Sequence, residues 1–185
     1  MPISSILNDE LGGIHTMKEY SVRELVFTAL FIALVYVFTW LVKIQLPFAP
    51  NGGLIHLGNV PFFIACIFFS KRVGMLSGAL GMGLFDLTSG WVAWSPMTVI
   101  SALIMGYIMA TLNTRDFRLS RYVLAAVLVT VVKVLTYYIG EAIMFKSLLV
   151  PLANIPGNVL QITVSAIIVG VLIPPMSRIL KDVTL

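Results

Sequence analysis

Charged residues are scarce in this sequence, and their scarcity excludes an ordinary soluble protein. Asp, Glu, Lys and Arg make up 11% of the 185 residues, whereas soluble domains average about 25%. The uncharged stretches are long, with 18 residues between Glu24 and Lys43 and 31 between Lys146 and Arg178. Because a helix needs about 20 apolar residues to cross a hydrocarbon core about 30 Å thick, we predict a multi-pass protein of the cell membrane.

The sequence also lacks the motifs of the common enzyme classes. It contains no Gly-x-Ser-x-Gly, no His-Glu-x-x-His and no Gly-x-x-x-x-Gly-Lys-[Ser/Thr] segment, so no nucleophile elbow, zinc helix or nucleotide-binding P-loop is expected. The single cysteine, Cys66, can form neither an intramolecular disulfide nor a metal site by itself. We therefore predict that the chain is not an enzyme and holds no metal or cofactor.

Six predicted spans account for the apolar stretches. The predicted fold is an all-α membrane protein with six transmembrane helices inside a lipid bilayer. An N-terminal segment, 1–22, precedes the transmembrane domain, 23–178, and a tail, 179–185, follows it. The six spans are 24–42, 54–69, 73–87, 96–112, 121–144 and 156–173. Pro96 suits the first turn of its helix, and Pro174-Pro175 are expected to close the last one.

The basic residues fall almost entirely on one side of these spans. Only Lys43 and Lys146 lie on the other side, and Lys133 lies within the membrane. Nine residues share the first side: Lys18, Arg23, Lys71, Arg72, Arg115, Arg118, Arg121, Arg178 and Lys181. This asymmetry predicts that both termini are cytoplasmic. It also explains the net charge of +4 without a basic surface for nucleic acid.

Small residues recur at helical spacing in two of the spans. The third span carries Gly74 and Gly78 as a Gly-x-x-x-Gly pair, a spacing that lets helices approach closely in lipid. The first span carries Ala29 and Ala33 at the same spacing among bulky neighbours. That patch fits either internal packing or docking of another membrane protein.

Three ionisable residues lie at membrane depth: Asp86, Lys133 and Glu141. Such groups cost about 2.5 kcal/mol or more to insert and usually mark functional sites. Lys133, Tyr137 and Glu141 are spaced i, i+4, i+8, so they share a face of the fifth span. A structural ion pair or a snorkelling group is the alternative interpretation. Two carboxylates against one ammonium favour a neutral or weakly cationic ligand ring.

Further polar and aromatic residues point to the same half of the membrane. Asn154, Asn158 and Gln161 share one face at the start of the sixth span, and amides suit a ligand rich in heteroatoms. Trp91 and Trp94 fit either a stacking wall or an interfacial aromatic belt. The predicted ligand contacts are His56, Asn59, Asp86, Trp91, Trp94, Lys133, Tyr137, Glu141, Asn154, Asn158 and Gln161.

Four segments resemble the substrate-binding, or S, components of energy-coupling factor (ECF) vitamin transporters. Residues 53–63 (GLIHLGNVPFF) and 71–78 (KRVGMLSG) are similar to that family's second and third helices, and 156–161 (PGNVLQ) is similar to its final helix. Residues 83–98 (GLFDLTSGWVAWSPMT) resemble a branch with riboflavin-type, pyridoxine-type and hydroxymethylpyrimidine-type members.

The resemblance implies a passive subunit that captures a vitamin outside the cell. Ala29 and Ala33 match the family's Ala-x-x-x-Ala motif, which docks on a transmembrane coupling (T) subunit. Two ABC-type ATPase subunits complete such transporters and use the ATP. Hydroxymethylpyrimidine or pyridoxine is the preferred ligand, and pantothenate and riboflavin remain open. A stand-alone proton-coupled carrier, with Asp86, Lys133 and Glu141 as a relay, is the alternative of another class.

Overall fold

The computed structural model describes residues 21–45, 54–113 and 117–179. These residues form six α-helices, joined by short connections. The helices are α1 (Val22–Leu41), α2 (Asn59–Phe68), α3 (Lys71–Thr88), α4 (Ser95–Leu112), α5 (Leu119–Phe145) and α6 (Ile155–Ile179). Several predicted features lie outside the described residues. They are residues 1–20 of the N-terminal segment, residues 46–53 of the first predicted loop, Arg115, and residues 180–185 of the tail.

The all-α membrane character is confirmed, with short additional elements between the helices. Two strands, β1 (Lys43–Gln45) and β2 (Leu54–His56), pair antiparallel. Two 3₁₀ turns, Val92–Trp94 and Val150–Asn154, precede α4 and α6. Among the described helices, α1, α4, α5 and α6 belong to segments long and apolar enough to cross a membrane.

Serine caps fix where two of the helices begin. The Ser21 side chain accepts a hydrogen bond from the Glu24 backbone N–H at 3.1 Å, and the Ser70 side chain accepts one from Val73 N–H at 3.3 Å. Each bond satisfies a backbone donor that lacks a partner within its helix. Pro96 lies in the first turn of α4, as predicted.

The short helix α2 lies in the interior of the bundle. It has ten residues, eight of them buried, and it contacts α1, α3, α4 and α6. At 1.5 Å per residue it is only about 15 Å long. Protein on several sides supports its ends, which is where short or interrupted membrane helices are tolerated.

Helix α3 packs on α1 and α4 through glycines. A Cβ atom at Gly78 would lie 2.4 Å from the Phe62 ring of α2, and one at Gly81 would lie 2.9 Å from the Ile32 carbonyl of α1. Real side chains do not tolerate such distances, so only glycine permits these approaches. The predicted role of the small residues of this helix in close packing is confirmed.

Two predicted boundaries are wrong. The second span was expected from residue 54, but Leu54–His56 forms β2, and α2 begins at Asn59. The antiparallel pair of β1 and β2, called the hairpin below, provides hydrogen-bond partners for backbone groups between α1 and α2. The Leu57 N–H adds a hydrogen bond to the Val42 carbonyl at 3.1 Å.

The other error concerns Pro174-Pro175, which do not close α6. The helix continues through them to Ile179. Prolines remove two N–H donors but leave the helical backbone angles allowed, and membrane helices often accommodate them.

Candidate ligand-binding site

One cavity gathers most of the predicted site residues at the hairpin end of the bundle. There α1, α3 and α5 end, and α2, α4 and α6 begin. The unfilled space is about 560 Å³, counting the open space at its mouth. Its lining consists of Leu54, Ile55, His56, Asp86, Trp91, Trp94, Lys133, Tyr137, Glu141, Asn154, Gly157, Asn158 and Gln161.

Ten of the eleven predicted contacts line this cavity, and Asn59 does not. Asn59 is fully buried at the start of α2, and neither its side-chain oxygen nor its nitrogen has a hydrogen-bond partner. Asn59 is therefore close in sequence to His56, which lines the cavity, but it is not part of the cavity wall itself. Its role as a ligand contact stays a prediction.

Glu141 is held by neutral donors from two other segments. Its Oε1 accepts a hydrogen bond from Trp94 Nε1 at 3.0 Å, and both of its carboxylate oxygens lie 2.9 Å from Asn154 Nδ2. Glu141 is only 2% exposed, and a buried carboxylate requires such partners. The cluster ties α5 to the turns that precede α4 and α6.

Asn154 keeps one polar atom unused. Its Nδ2 donates to Glu141, whereas its Oδ1 is buried without a partner. A buried acceptor without a donor costs about 1–3 kcal/mol, so this oxygen is an acceptor that the described residues leave unsatisfied beside the cavity.

Asp86 belongs to a second network, which Thr98 links to α5. The Thr98 hydroxyl donates to Asp86 Oδ2 and lies 2.6 Å from the Tyr137 hydroxyl. Because Thr98 has a single hydroxyl proton, which goes to Asp86, Tyr137 must be the donor to Thr98. The network therefore fixes the hydroxyl of Tyr137 at the cavity wall.

Lys133 is a buried ammonium without a carboxylate partner among the described residues. It is 4% exposed, and its Nζ lies 3.8 Å from the centre of the Tyr137 ring. That cation–π contact supplies partial compensation. The predicted alternative, a structural ion pair of Lys133 with a described Asp or Glu within 4 Å, is not formed.

His56 and Gln161 close the cavity from the hairpin side. Nδ1 of His56 accepts a hydrogen bond from Gly58 N–H at 3.2 Å, so a neutral ring carries its proton on Nε2. That Nε2 lies 2.9 Å from Gln161 Nε2. Two donors cannot bond each other, so the Gln161 amide belongs in the flipped orientation, with its oxygen toward His56.

Two tryptophans supply the aromatic part of the wall. The Trp91 and Trp94 rings are 5.2 Å apart at 68°, an edge-to-face arrangement. Trp94 also approaches Phe145 at 6.3 Å. Because Trp94 is anchored through Glu141, its ring is held in place as a wall for a flat ligand.

Four residues of the site are missing from the sequence-based prediction. Thr98 bridges Asp86 and Tyr137, and Leu54, Ile55 and Gly157 line the cavity. The available signal for Thr98 is a hydroxyl in the first turn of a largely apolar span, which also carries Ser101 and Thr111. Among the described residues, no group of three or more His, Cys, Asp or Glu side chains could hold a metal ion.

A protein-family model described as "ECF-type riboflavin transporter, S component" matches residues 19–178. This covers the described helical bundle except for Ile179, the last residue of α6. The chain belongs to the ECF S-component family. S components are transport subunits of the membrane, and this agrees with the prediction that the chain is not an enzyme.

The fold of this S component is similar to a solved structure described as the S component of a bacterial ECF transporter. The TM-score is 0.66 at 18% identity, covering 86% of this chain and 98% of the other. At that identity the likeness concerns the fold alone. A search of the curated proteins gives no significant match.

Proposed function

We propose that this S component captures a vitamin from outside the cell in the cavity described above and delivers it inward. In this proposal the chain crosses the membrane six times, with the short helix α2 and the preceding hairpin strand together making one of the crossings, and both termini are cytoplasmic. The cavity lies at the hairpin end, opposite the end with most of the described basic residues. By the positive-inside rule, the hairpin end faces outward.

The proposed ligand is riboflavin or a closely related flavin. The observation that carries this choice is Lys133, a buried cation that forms no ion pair within 4 Å with a described Asp or Glu. A flavin offers electron-rich carbonyl oxygens and a ring nitrogen to such a donor. It also offers an imide N–H to the unpaired Asn154 Oδ1 and a flat ring to the tryptophans. The description of the matching family model points to the same vitamin.

The preference for hydroxymethylpyrimidine or pyridoxine that the sequence suggests depends on counting two carboxylates against one ammonium in the site. The structure weakens that argument, because Asp86 and Glu141 are both engaged by neutral side chains of the protein. Lys133 is the charged group left without a hydrogen-bonding partner. Pantothenate could supply a carboxylate to Lys133, but it has no flat ring for Trp91 and Trp94.

Ligand titration of the purified chain tests this choice. Bound flavin is detected by its visible absorption and by quenching of its fluorescence, and the other three vitamins are measured by calorimetry. We expect riboflavin to bind tightest. We also expect Lys133→Met to weaken riboflavin binding about 10- to 150-fold, the range for a hydrogen bond to a charged group worth about 1.5–3 kcal/mol.

Lys146→Met is the matched control, because it removes an exposed ammonium outside the cavity. Its affinity should equal that of the wild type. Tighter binding of hydroxymethylpyrimidine, pyridoxine or pantothenate would overturn the flavin assignment. Equal riboflavin affinity of the wild type and Lys133→Met would do so as well.

Coupling to ATP is proposed to come from partner subunits. A T subunit would dock on the face of α1 that carries Ala29 and Ala33, both of which are exposed, and two ABC-type ATPases would bind the T subunit. The proton-relay alternative has less support. In the described chain, Glu141 and Asp86 belong to separate hydrogen-bond networks.

A further inference from the structure

A short series of contacts runs from α1 to the wall of the cavity. It consists of Thr39 near the end of α1, Gly58 just before α2, His56 at the end of β2 and Gln161 of α6. All four residues are buried, and His56 and Gln161 line the cavity whereas Thr39 and Gly58 do not. Two polar side chains of the cavity wall are therefore backed by residues that lie behind it.

The contacts behind the wall fix the imidazole of His56. Thr39 packs so closely on Gly58 that a Cβ atom there would lie 2.0 Å from Thr39 Oγ1. That hydroxyl is itself held, because it donates to the Val35 carbonyl at 2.7 Å within α1. The Gly58 N–H donates to His56 Nδ1 at 3.2 Å, so a neutral ring carries its proton on Nε2 and directs it at Gln161, 2.9 Å away.

The imidazole in turn fixes the direction of the Gln161 amide. The Nε2–H of His56 needs an acceptor, and the nearby end of the amide supplies one only as its oxygen. The amide NH₂ then occupies the other end, which forms no hydrogen bond with a described residue. That end retains accessible surface, and Gln161 lines the cavity, so its N–H donors face the space that a ligand would fill.

We propose that His56 is a positioning residue that sets Gln161 as a hydrogen-bond donor to the ligand. This rests on the proposed function, since it takes the cavity as the vitamin site. The ligand atom against Gln161 is then an acceptor, a carbonyl oxygen or an unprotonated ring nitrogen, because two facing donors would leave both unsatisfied. Asn154 Oδ1 is an unsatisfied acceptor, so the two amides select opposite groups and favour a ring that carries both an N–H and an acceptor.

Histidine NMR of the purified full chain without ligand tests the position of the ring proton. The sequence has two histidines, and the variant His15→Gln leaves only the ring signals of His56. Two-bond ¹H–¹⁵N spectra distinguish the two neutral tautomers and the cation. We expect a proton on Nε2 and an unprotonated Nδ1 at neutral pH. A proton on Nδ1, alone or together with one on Nε2, would overturn the proposal.

Two matched variants of His56 separate positioning from packing, with riboflavin as the probe. His56→Phe keeps a ring near Phe85, whose centroid lies 6.5 Å from that of His56, but it has no donor for Gln161. His56→Gln loses the ring but carries an NH₂ group in place of Nε2–H. We expect His56→Phe to weaken riboflavin binding about 2- to 12-fold, as for one neutral hydrogen bond, and His56→Gln to retain more affinity. The reverse order would show that His56 acts by packing, and unchanged affinity of His56→Phe would also contradict its role.

Gln161→Glu tests the direction of the amide itself. It replaces the NH₂ group by a second oxygen, so an acceptor of the ligand would face an acceptor of the protein. Riboflavin binding should weaken at least as much as in His56→Phe, and the unfolding temperature, measured in parallel, shows that each variant is folded. Unchanged or tighter binding would mean that an oxygen faces the cavity in the wild type. Failure of the wild type to bind riboflavin would instead overturn the flavin assignment, whereas the NMR measurement, which uses no ligand, still decides the position of the His56 proton.

Discussion

Uncharged side chains satisfy both carboxylates of the candidate cavity, whereas its one ammonium, on Lys133, forms no ion pair within 4 Å with a described Asp or Glu. Asp86 accepts from Thr98, and Glu141 accepts from Trp94 and Asn154. The donors fix the position of each carboxylate oxygen, and in the proposed function these acids act on the ligand largely by positioning their neighbours.

Replacing Thr98 by Val should separate this positioning role from a packing role. Val retains the shape of Thr but removes the hydroxyl, so Asp86 Oδ2 and the Tyr137 hydroxyl both lose a partner. We expect the free energy of unfolding to fall by about 1–3 kcal/mol. Urea unfolding in detergent measures it, and flavin titration should show weaker binding in parallel. Thr98→Ser keeps the hydroxyl and is the control. A variant Thr98→Val with the stability of Thr98→Ser would contradict the bridging role.

The pairing of Glu141 with Asn154 can be tested by exchanging the two groups. In Glu141→Gln, one carboxylate oxygen becomes an NH₂ group that faces donors from Asn154 and Trp94. We expect the free energy of unfolding to decrease by about 1–3 kcal/mol and the flavin affinity to fall. Glu141→Gln/Asn154→Asp restores one amide–carboxylate pair and should recover most of the stability. A double variant no better than the single one would show that this pair does not position the wall.

Sequence periodicity predicted which side chains of α5 and α6 would face the site, because residues four apart share a helix face. It could not predict how the acids are paired. Thr98 lies 12 residues from Asp86 and 39 from Tyr137, and Trp94 lies 47 from Glu141. Such pairings depend on the packing of whole helices, which spacing within one helix does not encode.

At the level of helices, α3 buries its glycines together with Val73, Met82 and Phe85, and exposes leucines. Its glycines are buried, whereas Leu80 and Leu84 are each 45% exposed. This arrangement suits a helix whose outer surface meets lipid and whose inner surface must approach α1 and α2 closely. The sequence predicted the close contacts but not the partner helices.

Substitution of Gly78 by Val should disrupt that contact. The added Cβ atom would lie 2.4 Å from the Phe62 ring, which is itself fully buried in α2. Overpacking of this kind costs about 1–3 kcal/mol, so we expect a lower unfolding temperature by differential scanning fluorimetry. Leu84→Ala changes a similar side-chain volume on the exposed face and should have little effect. Equal destabilisation by both variants would argue against a special role for the glycine.

Two elements are predicted wrongly from the sequence because the local sequence does not determine their backbone structure. Leu54–His56 was assigned to a helix because the stretch is apolar, but its pairing with Lys43–Gln45 determines its structure. Similarly, Pro174-Pro175 end helices in water, yet α6 continues past them. Local helix propensity predicts structure poorly where a segment finds its backbone hydrogen-bond partners in another part of the chain, or where lipid offers the backbone no water to bond.

For the whole molecule, the proposed capture and delivery of a vitamin would use separate surfaces of the bundle. The cavity is enclosed by α3, α5, α6 and the hairpin, whereas the proposed docking face of α1 points away from the core. Ala29 and Ala33 are exposed there beside Val26 and Leu30. Neither alanine lines the cavity. The two functions can therefore be separated by substitution.

Ala29→Leu/Ala33→Leu should abolish uptake while leaving binding intact. Bulky side chains at both positions would keep a partner helix from approaching α1, since close approach needs small residues. We expect the purified variant to bind flavin with unchanged affinity. Vesicles that contain the T subunit and both ATPases should lose ATP-driven uptake, and co-purification of the variant with those subunits should fail.

Val171→Phe provides the control for added bulk, because Val171 is 70% exposed on α6 rather than on the proposed docking face. It should support normal uptake. Full uptake by the alanine variant would show that α1 does not dock through this patch. Uptake by the purified chain in vesicles without ATPases would refute the subunit assignment itself, because a passive binding subunit has no means of moving its ligand alone.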